Sequence, residues 1–170
     1  MFETPEEIDR LQRVLDESYE RAGSHLASIH SVETRLSATD LVSKLDGMQI
    51  FVLATSGRDG RPRTGPVDTF LYRGEVRFGT AEHSLRARHL ARNRAASATH
   101  VRGEALVVTV HGDARRLDLT AADADFGDFL KRHYGPDAFG EHLAGAPYYG
   151  ITPRRLFAAD MSLRAGAPAD

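Results

Sequence analysis

Cysteine is absent from the 170 residues. That excludes disulfide frameworks, thiolate metal sites and cysteine nucleophiles, and gives no support to an oxidising compartment. An excess of one charge is missing too: 22 Lys and Arg stand against 24 Asp and Glu, a formal net charge of −2. No global field then draws the chain onto nucleic acid or anionic lipid, and any basic function must be local. No run approaches the roughly 20 apolar residues of a membrane span. The opening, MFETPEEIDR, is acidic and lacks the basic-then-apolar order of a secretory signal. A cytoplasmic chain with no membrane or nucleic-acid partner is expected. Familiar catalytic signatures are lacking as well. There is no G-x-G-x-x-G opening a helix, since Gly57 and Gly60 sit in a hairpin, and no G-x-S-x-G elbow. His83 with His89, and His100 with His111, lack the spacing of a known ligand set, so no metal is expected.

What is present, 41% hydrophobic and 27% charged residues, suits one globular domain. Thr4, Pro5 and Glu7 offer a cap hydroxyl, a proline at the first helical position and a capping-box glutamate. Ile8, Leu11, Leu15, Tyr19, Ala22 and Leu26 then recur at helical spacing, interrupted at Gly23 and Ser24. A short second helix is expected from about Ser37 to Leu45. The texture then changes to strands over Gln49–Thr55, Arg61–Leu71 and Glu75–Gly79, with turn residues between them. Pro62 and Pro66 cannot donate to a ladder, so the second strand should be irregular or near an edge. A short helix within Thr80–Asn93 leads to strands at Ala95–Val101 and Glu104–Leu117, the latter bent near Gly112. A helix capped by Thr120 and reaching about His133, a glycine-rich loop over Tyr134–Pro147, and a last strand from Tyr149 to about Leu163 complete the pattern. Closely connected strands without alternating βαβ units predict an antiparallel barrel with flanking helices.

One window carries chemistry. In GTAEHSLRARHLARN, residues 79–93, a strand end delivers Thr80 and Ser84 to a helix bearing Arg86, Arg88 and Arg92. Hydroxyl donors and planar guanidinium forks gathered at one place match the oxygens of a phosphate. A solvated basic helix face is the plain alternative, and nucleic-acid binding a further one. Ser84 has no evident partner base and reads as a phosphate donor rather than a nucleophile. Asp68 is a general acid on one reading and a solvated or salt-bridged carboxylate on the other. Tyr148 and Tyr149 are open between a substrate mouth and core contacts. No catalytic residue is named.

Residues 51–118 resemble the pyridoxamine-phosphate-oxidase-like split-barrel family. The resemblance rests on the turn Asp59, Gly60, Arg61, Pro62; on Pro66; on Phe78, Gly79, Thr80; on Ser84, Arg86, His89 and Leu90; on Gly112 with Ala114; and on Ile151, Thr152, Pro153 and Arg154 in the last strand. It implies a mainly β fold with flanking helices, an antiparallel, Greek-key-like split β-barrel of the FMN-binding type. Residues 1–47 would pack as helices on a barrel of residues 48–165, with 166–170 a tail, one domain overall. It also implies that Ser84 and Arg86 hold a cofactor phosphate with Thr80 and Arg88 near, and that the strand Pro66, Val67, Asp68, Thr69 follows the isoalloxazine edge. Gly79, Leu85 and His89 complete the implied cofactor-binding set. The ring would lie at the interface of a homodimer, open to a small-molecule substrate.

Four positions depart from the family pattern: Arg86 replaces a lysine, His89 an asparagine, Arg94 a proline, and Phe70 the cofactor-binding lysine of the second strand. The Arg and His set through which vitamin B6 oxidases hold their substrate is not found. The resemblance is therefore to the family and not to the vitamin B6 enzyme itself. It implies an FMN-dependent oxidoreductase, in which the cofactor carries the redox chemistry and no acid–base pair is required. Two alternatives share the fold: a reductase using the deazaflavin coenzyme F-420, whose longer anionic tail would suit Arg154 and Arg155, and a flavin- or haem-binding module without turnover.

Overall fold

A computed structural model describes residues 2–140 and 145–164. The first helix, α1 (Pro5–Glu20), begins with the reciprocal cap that its sequence encodes. The Glu7 amide donates to Thr4 Oγ1 at 3.3 Å and the Thr4 amide to Glu7 Oε2 at 2.9 Å. After the break at Gly23 comes a short helix, α2 (Ser24–Ile29), in which no residue is fully buried but Leu26 packs against the core. Helix α3 (Ala38–Lys44) is capped by Ser37, whose hydroxyl accepts from the Asp40 amide.

Six strands follow: β1 (Gln49–Ser56), β2 (Pro62–Tyr72), β3 (Glu75–Gly79), β4 (Ala95–Arg102), β5 (Leu106–Arg116) and β6 (Tyr148–Asp160). They close into an antiparallel barrel in the order β1-β2-β3-β6-β5-β4, with β4 returning to β1. Helix α4 (Leu85–Leu90) makes the crossing from β3 to β4, and α5 (Ala124–Tyr134) with the single turn α6 (Pro136–Ala138) connects β5 to β6. Among the described residues no helix is long and apolar enough to cross a membrane.

Two apolar clusters hold these layers together. Phe51, Leu53, Phe78, Val108, Val110 and Ile151 fill the barrel, and Leu11 and Leu15 of α1 with Leu41 and Leu45 of α3 join them. Helix α1 also supplies polar partners to β6: the Leu156 amide donates to Ser18 Oγ at 2.9 Å, and the Ala158 amide donates to the Tyr19 hydroxyl at 3.1 Å. Outside the barrel, Phe70 and Tyr72 of β2 meet Phe126, Phe129 and Leu130 of α5 and Tyr148 of β6. At roughly 1.5–3 kcal/mol for each fully buried large apolar side chain, these clusters dominate the stability.

The bend expected near Gly112 is a bulge, with the β5–β6 register shifting between His111 and Gly112. A Cβ on Gly112 would collide with the Thr152 carbonyl oxygen. The prolines mark a genuine edge. β2 pairs with β1 from Pro62 to Thr69, but with β3 only from Thr69 to Tyr72. The segment 63–68 therefore has a strand neighbour on one side only, which is where Pro66 is tolerated.

Three local expectations need correction. Thr120 does not cap α5: its hydroxyl and amide turn back to Asp118 Oδ1, and the helix starts at Ala124 after Asp123. The cap residue's carboxylate is held instead by Arg115 and the Asp118 amide. The segment read as loop over Tyr134–Pro147 contains α6, and β6 begins one residue earlier than expected, at Tyr148. Residues 141–144 of that segment and the tail 166–170 lie outside the described residues.

Candidate functional site

The end of β3 and the start of α4 form a small polar cradle. The Thr80 amide donates to the Pro147 carbonyl at 3.1 Å and so fixes where β3 stops. Four residues on, Ser84 caps α4 by accepting from the Ala87 amide at 3.0 Å, and its hydroxyl lies 3.1 Å from that of Thr80. Two hydroxyls thus sit together at the mouth. Ala87, His89 and Leu90 are the buried face of α4, which leaves Arg86 half-buried and turned toward β2.

Arg86 is the decisive side chain. Its Nη2 reaches the Pro66 carbonyl at 3.4 Å, across the half of β2 that lacks a second strand partner. Gly65 lets it come close, since a Cβ there would stand 3.2 Å from Nη2. Burial holds the guanidinium pKa below its ordinary value, and among the described residues no carboxylate forms an ion pair with it. A desolvated cation without a counter-charge is costly unless an anion completes it. With two adjacent hydroxyls, the donor set fits the oxygens of a phosphate ester.

The other implied residues fall in several places. Pro66 and Asp68 are exposed on the outer face of β2, whereas Val67 and Thr69 point into the barrel, where the Thr69 hydroxyl donates to the Gln49 carbonyl at 3.0 Å. Those two can offer only backbone to a ligand. Gly79 stays at the cradle and Leu85 is exposed beside it. Arg88 curls back to the His83 carbonyl at 3.3 Å. His89 is buried behind the helix with Nδ1 3.1 Å from the Thr55 hydroxyl, so it supports the β1–β2 hairpin rather than the cradle. Arg154 and Arg155 line a separate cleft of about 430 Å³ with Ser97 and His111, and Arg154 is paired to Asp113. That cleft shares no lining residue with the cradle.

Beside the cradle lies a cleft of about 300 Å³ whose walls include Asp68, Phe70, Gly79, Thr80, Tyr134 and Tyr148. Thr80 belongs to both. Gly79 allows the Tyr148 ring to lie against the strand: a Cβ there would meet ring atom Cε1 at 2.9 Å. Burial, with Tyr134 nearby, pushes the Tyr148 hydroxyl up to about 12, so it stays neutral. Tyr149 is a core residue instead, stacked on Phe78 with centroids 5.7 Å apart. Tyr134 and Gly65 were not legible as site residues: neither carries a motif, and each arrives there through the packing of α5 and the course of β2. Among the described residues no group of three His, Cys, Asp or Glu gathers to hold a metal ion.

The family pattern described as pyridoxamine 5'-phosphate oxidase matches residues 39–161. No curated protein matches the chain. Among solved structures, a conserved hypothetical protein from Mycobacterium tuberculosis superposes with a TM-score of 0.69 at 20% identity, covering 83% of this chain and 94% of that one. A heme storage protein from Vibrio cholerae gives 0.59 at 16% identity, over 71% and 91% of the two chains. An FAD-binding protein from Mesorhizobium loti gives 0.59 at 15% identity, over 74% and 95%. At these identities the likeness is one of fold.

Proposed function

The chain belongs to the pyridoxamine 5'-phosphate oxidase family, and on that premise we propose that it is an FMN-dependent oxidoreductase acting on a small molecule. The observation that carries the reading is Arg86, half-buried, without a carboxylate partner among the described residues, and beside the hydroxyls of Ser84 and Thr80. These three groups would hold the phosphate. The half-paired stretch of β2 would run along the polar edge of the flavin, offering carbonyl oxygens and the amides of the non-proline residues. Bound there, the flavin would supply the redox chemistry. The chain's own groups bind, orient and exclude water, and the neutral Tyr148 closes the adjacent wall. The deazaflavin alternative would call on Arg154 and Arg155, which within one chain line a different cleft.

We also propose that the protein acts as a homodimer. An outward strand face in a soluble antiparallel barrel is ordinarily polar. Here positions 50, 52 and 54 of β1, 97, 99 and 101 of β4, and 107 and 109 of β5 carry no Lys, Arg, Asp or Glu. Ile50, Val52 and Val101 on this face are 47%, 49% and 56% exposed. Such a face is suited to an isologous contact with a second copy.

Fluorescence titration of the apoprotein with FMN tests the cofactor assignment. Arg86→Ala removes a charge-assisted hydrogen bond and should weaken binding by about 1.5–3 kcal/mol, roughly 10- to 150-fold. Riboflavin, which lacks the phosphate, should bind the wild type weakly and be indifferent to the substitution. Equal FMN affinity in both proteins would mean that the phosphate is held elsewhere.

A further inference from the structure

We infer that the cleft on the outer side of β1, β4, β5 and β6 is a second ligand site, separate from the cradle, and that it takes a small molecule carrying a phosphate group. The inference goes beyond the flavin reading and does not rest on it.

Strand register assembles the site. Ala54 of β1 pairs with Ser97 of β4, Ser97 with His111 of β5, and His111 with Arg155 of β6, so the four stand in one row across the sheet. Regular alternation would turn only one of two adjacent residues outward. The bulge lifts that limit. His111 pairs with Arg155 and Gly112 with Pro153, which leaves Arg154 outside the ladder, and both arginines are exposed and line the cleft. Two guanidinium groups thus meet where an unbroken strand would offer one. The cleft stays open because Ala54 ends the row and Gly112 sits at the bulge, neither with a side chain long enough to fill about 430 Å³. Ala54 and Ser97 also belong to the uncharged face, whereas the charged groups lie beyond it on β5 and β6.

The donors suit phosphate. Arg154 is paired with Asp113, but Arg155 forms no ion pair or hydrogen bond among the described residues. Burial and the charge of Arg155 hold the His111 pKa below its ordinary value, so the ring is neutral at physiological pH. Two arginines against one aspartate then leave the cleft an excess of positive charge. The Ser97 hydroxyl lies 2.8 Å from His111 Nδ1, which holds the ring in the row. Ser56 Oγ accepts from Asn93 Nδ2 at 2.9 Å and keeps its own proton to donate. Guanidinium forks and hydroxyls placed on several strands around one space match the three terminal oxygens of a phosphate ester better than the two coplanar oxygens of a carboxylate. The volume falls within the roughly 300–1,000 Å³ of small-molecule sites and leaves room for an organic body of one or two rings.

Calorimetric titration of the purified full chain with phenyl phosphate, benzoate and phenol tests the inference, with Arg86→Ala as the reference protein so that the cradle does not compete. Phenyl phosphate should bind this reference about threefold or more tighter than benzoate, and phenol should bind weakest. Adding Arg155→Ala should weaken phenyl phosphate by roughly tenfold or more. Adding Asp113→Asn instead, which removes the competing carboxylate, should strengthen it by roughly two- to tenfold. Arg155 is exposed and Asp113 partly so, and neither substitution disturbs the core. Arg155→Ala alone should bind FMN within about twofold of the wild type. No binding of phenyl phosphate to the reference, equal affinity for benzoate, indifference to Arg155→Ala, or no gain in Asp113→Asn would each overturn the inference. So would a tenfold loss of FMN affinity in Arg155→Ala, because the cleft would then be part of the cofactor's place. Failure of the flavin reading shows differently, as equal FMN affinity in Arg86→Ala and the wild type with phenyl phosphate binding intact.

Discussion

Glu75 offers the sharpest test of how the cleft beside the cradle is held in shape. Its carboxylate is 6% exposed and accepts from Arg77 Nη2 at 3.0 Å, from Arg115 Nη2 at 2.8 Å and from the Thr152 hydroxyl at 2.8 Å. Arg77 is 4% exposed, lies between the Tyr72 and Phe126 rings, and has one nitrogen, Nη1, with no hydrogen-bond partner among the described residues. Asp123, the residue that starts α5, completes the cluster through Arg115 at 2.7 and 2.8 Å. Glu75→Gln keeps the shape and removes the charge. Stripping one partner from a buried ion pair costs about 3–5 kcal/mol. Both arginines keep Asp123, Arg115 at 2.7 Å and Arg77 at 3.5 Å, but the Arg115 side chain is 40% exposed and adapts, so the loss falls mainly on the buried Arg77. We therefore expect the low end, about 3 kcal/mol, and a Tm lower by about 6–12 °C for a chain of this length. Burial alone would raise the Glu75 pKa, but the hydrogen bonds from Arg115 and Thr152 and the charges of Arg77 and Arg115 outweigh it and hold it below the ordinary 4.5. The stabilisation is then complete above that value and lost as pH falls through the lower folded-state pKa. Urea unfolding followed by circular dichroism at pH 7 and under acid should show the wild type and Glu75→Gln far apart in the first case and converging in the second. A difference at pH 7 below about 1 kcal/mol, the centre of ordinary point-mutant effects, or a gap that persists in acid, would refute the reasoning.

Two further substitutions address the dimer face and the bulge. Val52→Glu puts a charge at the centre of the uncharged face, where the side chain is 49% exposed in one chain. It should yield a folded monomer by light scattering, with stability within about 0.5 kcal/mol of an unmutated monomer; an intact dimer would remove this face from the interface. Gly112→Ala drives a Cβ into the Thr152 carbonyl, and urea unfolding should show a loss of about 1–3 kcal/mol, the range for overpacking. A neutral result would mean that the β5–β6 register shift relaxes more easily than its geometry implies.

The amino-acid order alone determined whatever depends on neighbours within about four positions. Thr4 with Glu7, and Ser37 and Ser84 each with the amide three residues on, mark helix starts because the capping oxygen and the amide that it receives lie within one turn. The β-branched run of β1, the glycine turns and the bend at Gly112 were legible for the same reason, and so was the gathering of Thr80, Ser84 and Arg86 around the start of α4. The fold class was legible through the family motifs, which the match over residues 39–161 bears out. Thr120 misled because a hydroxyl near a helical pattern marks a cap only if no closer acceptor takes it, and Asp118 does. Tertiary structure alone decided the rest. Barrel closure between β1 and β4 and the short β2–β3 ladder bring Gly65 and Pro66 against Arg86, some twenty residues away. The packing of α5 and the entry of β6 set Tyr134 and Tyr148 around Asp68, and carry Arg154 and Arg155 to a different cleft. Distances between such residues follow from strand register and from which edges pair. Both are settled by burying apolar surface over the whole barrel, a quantity that no short window of sequence contains.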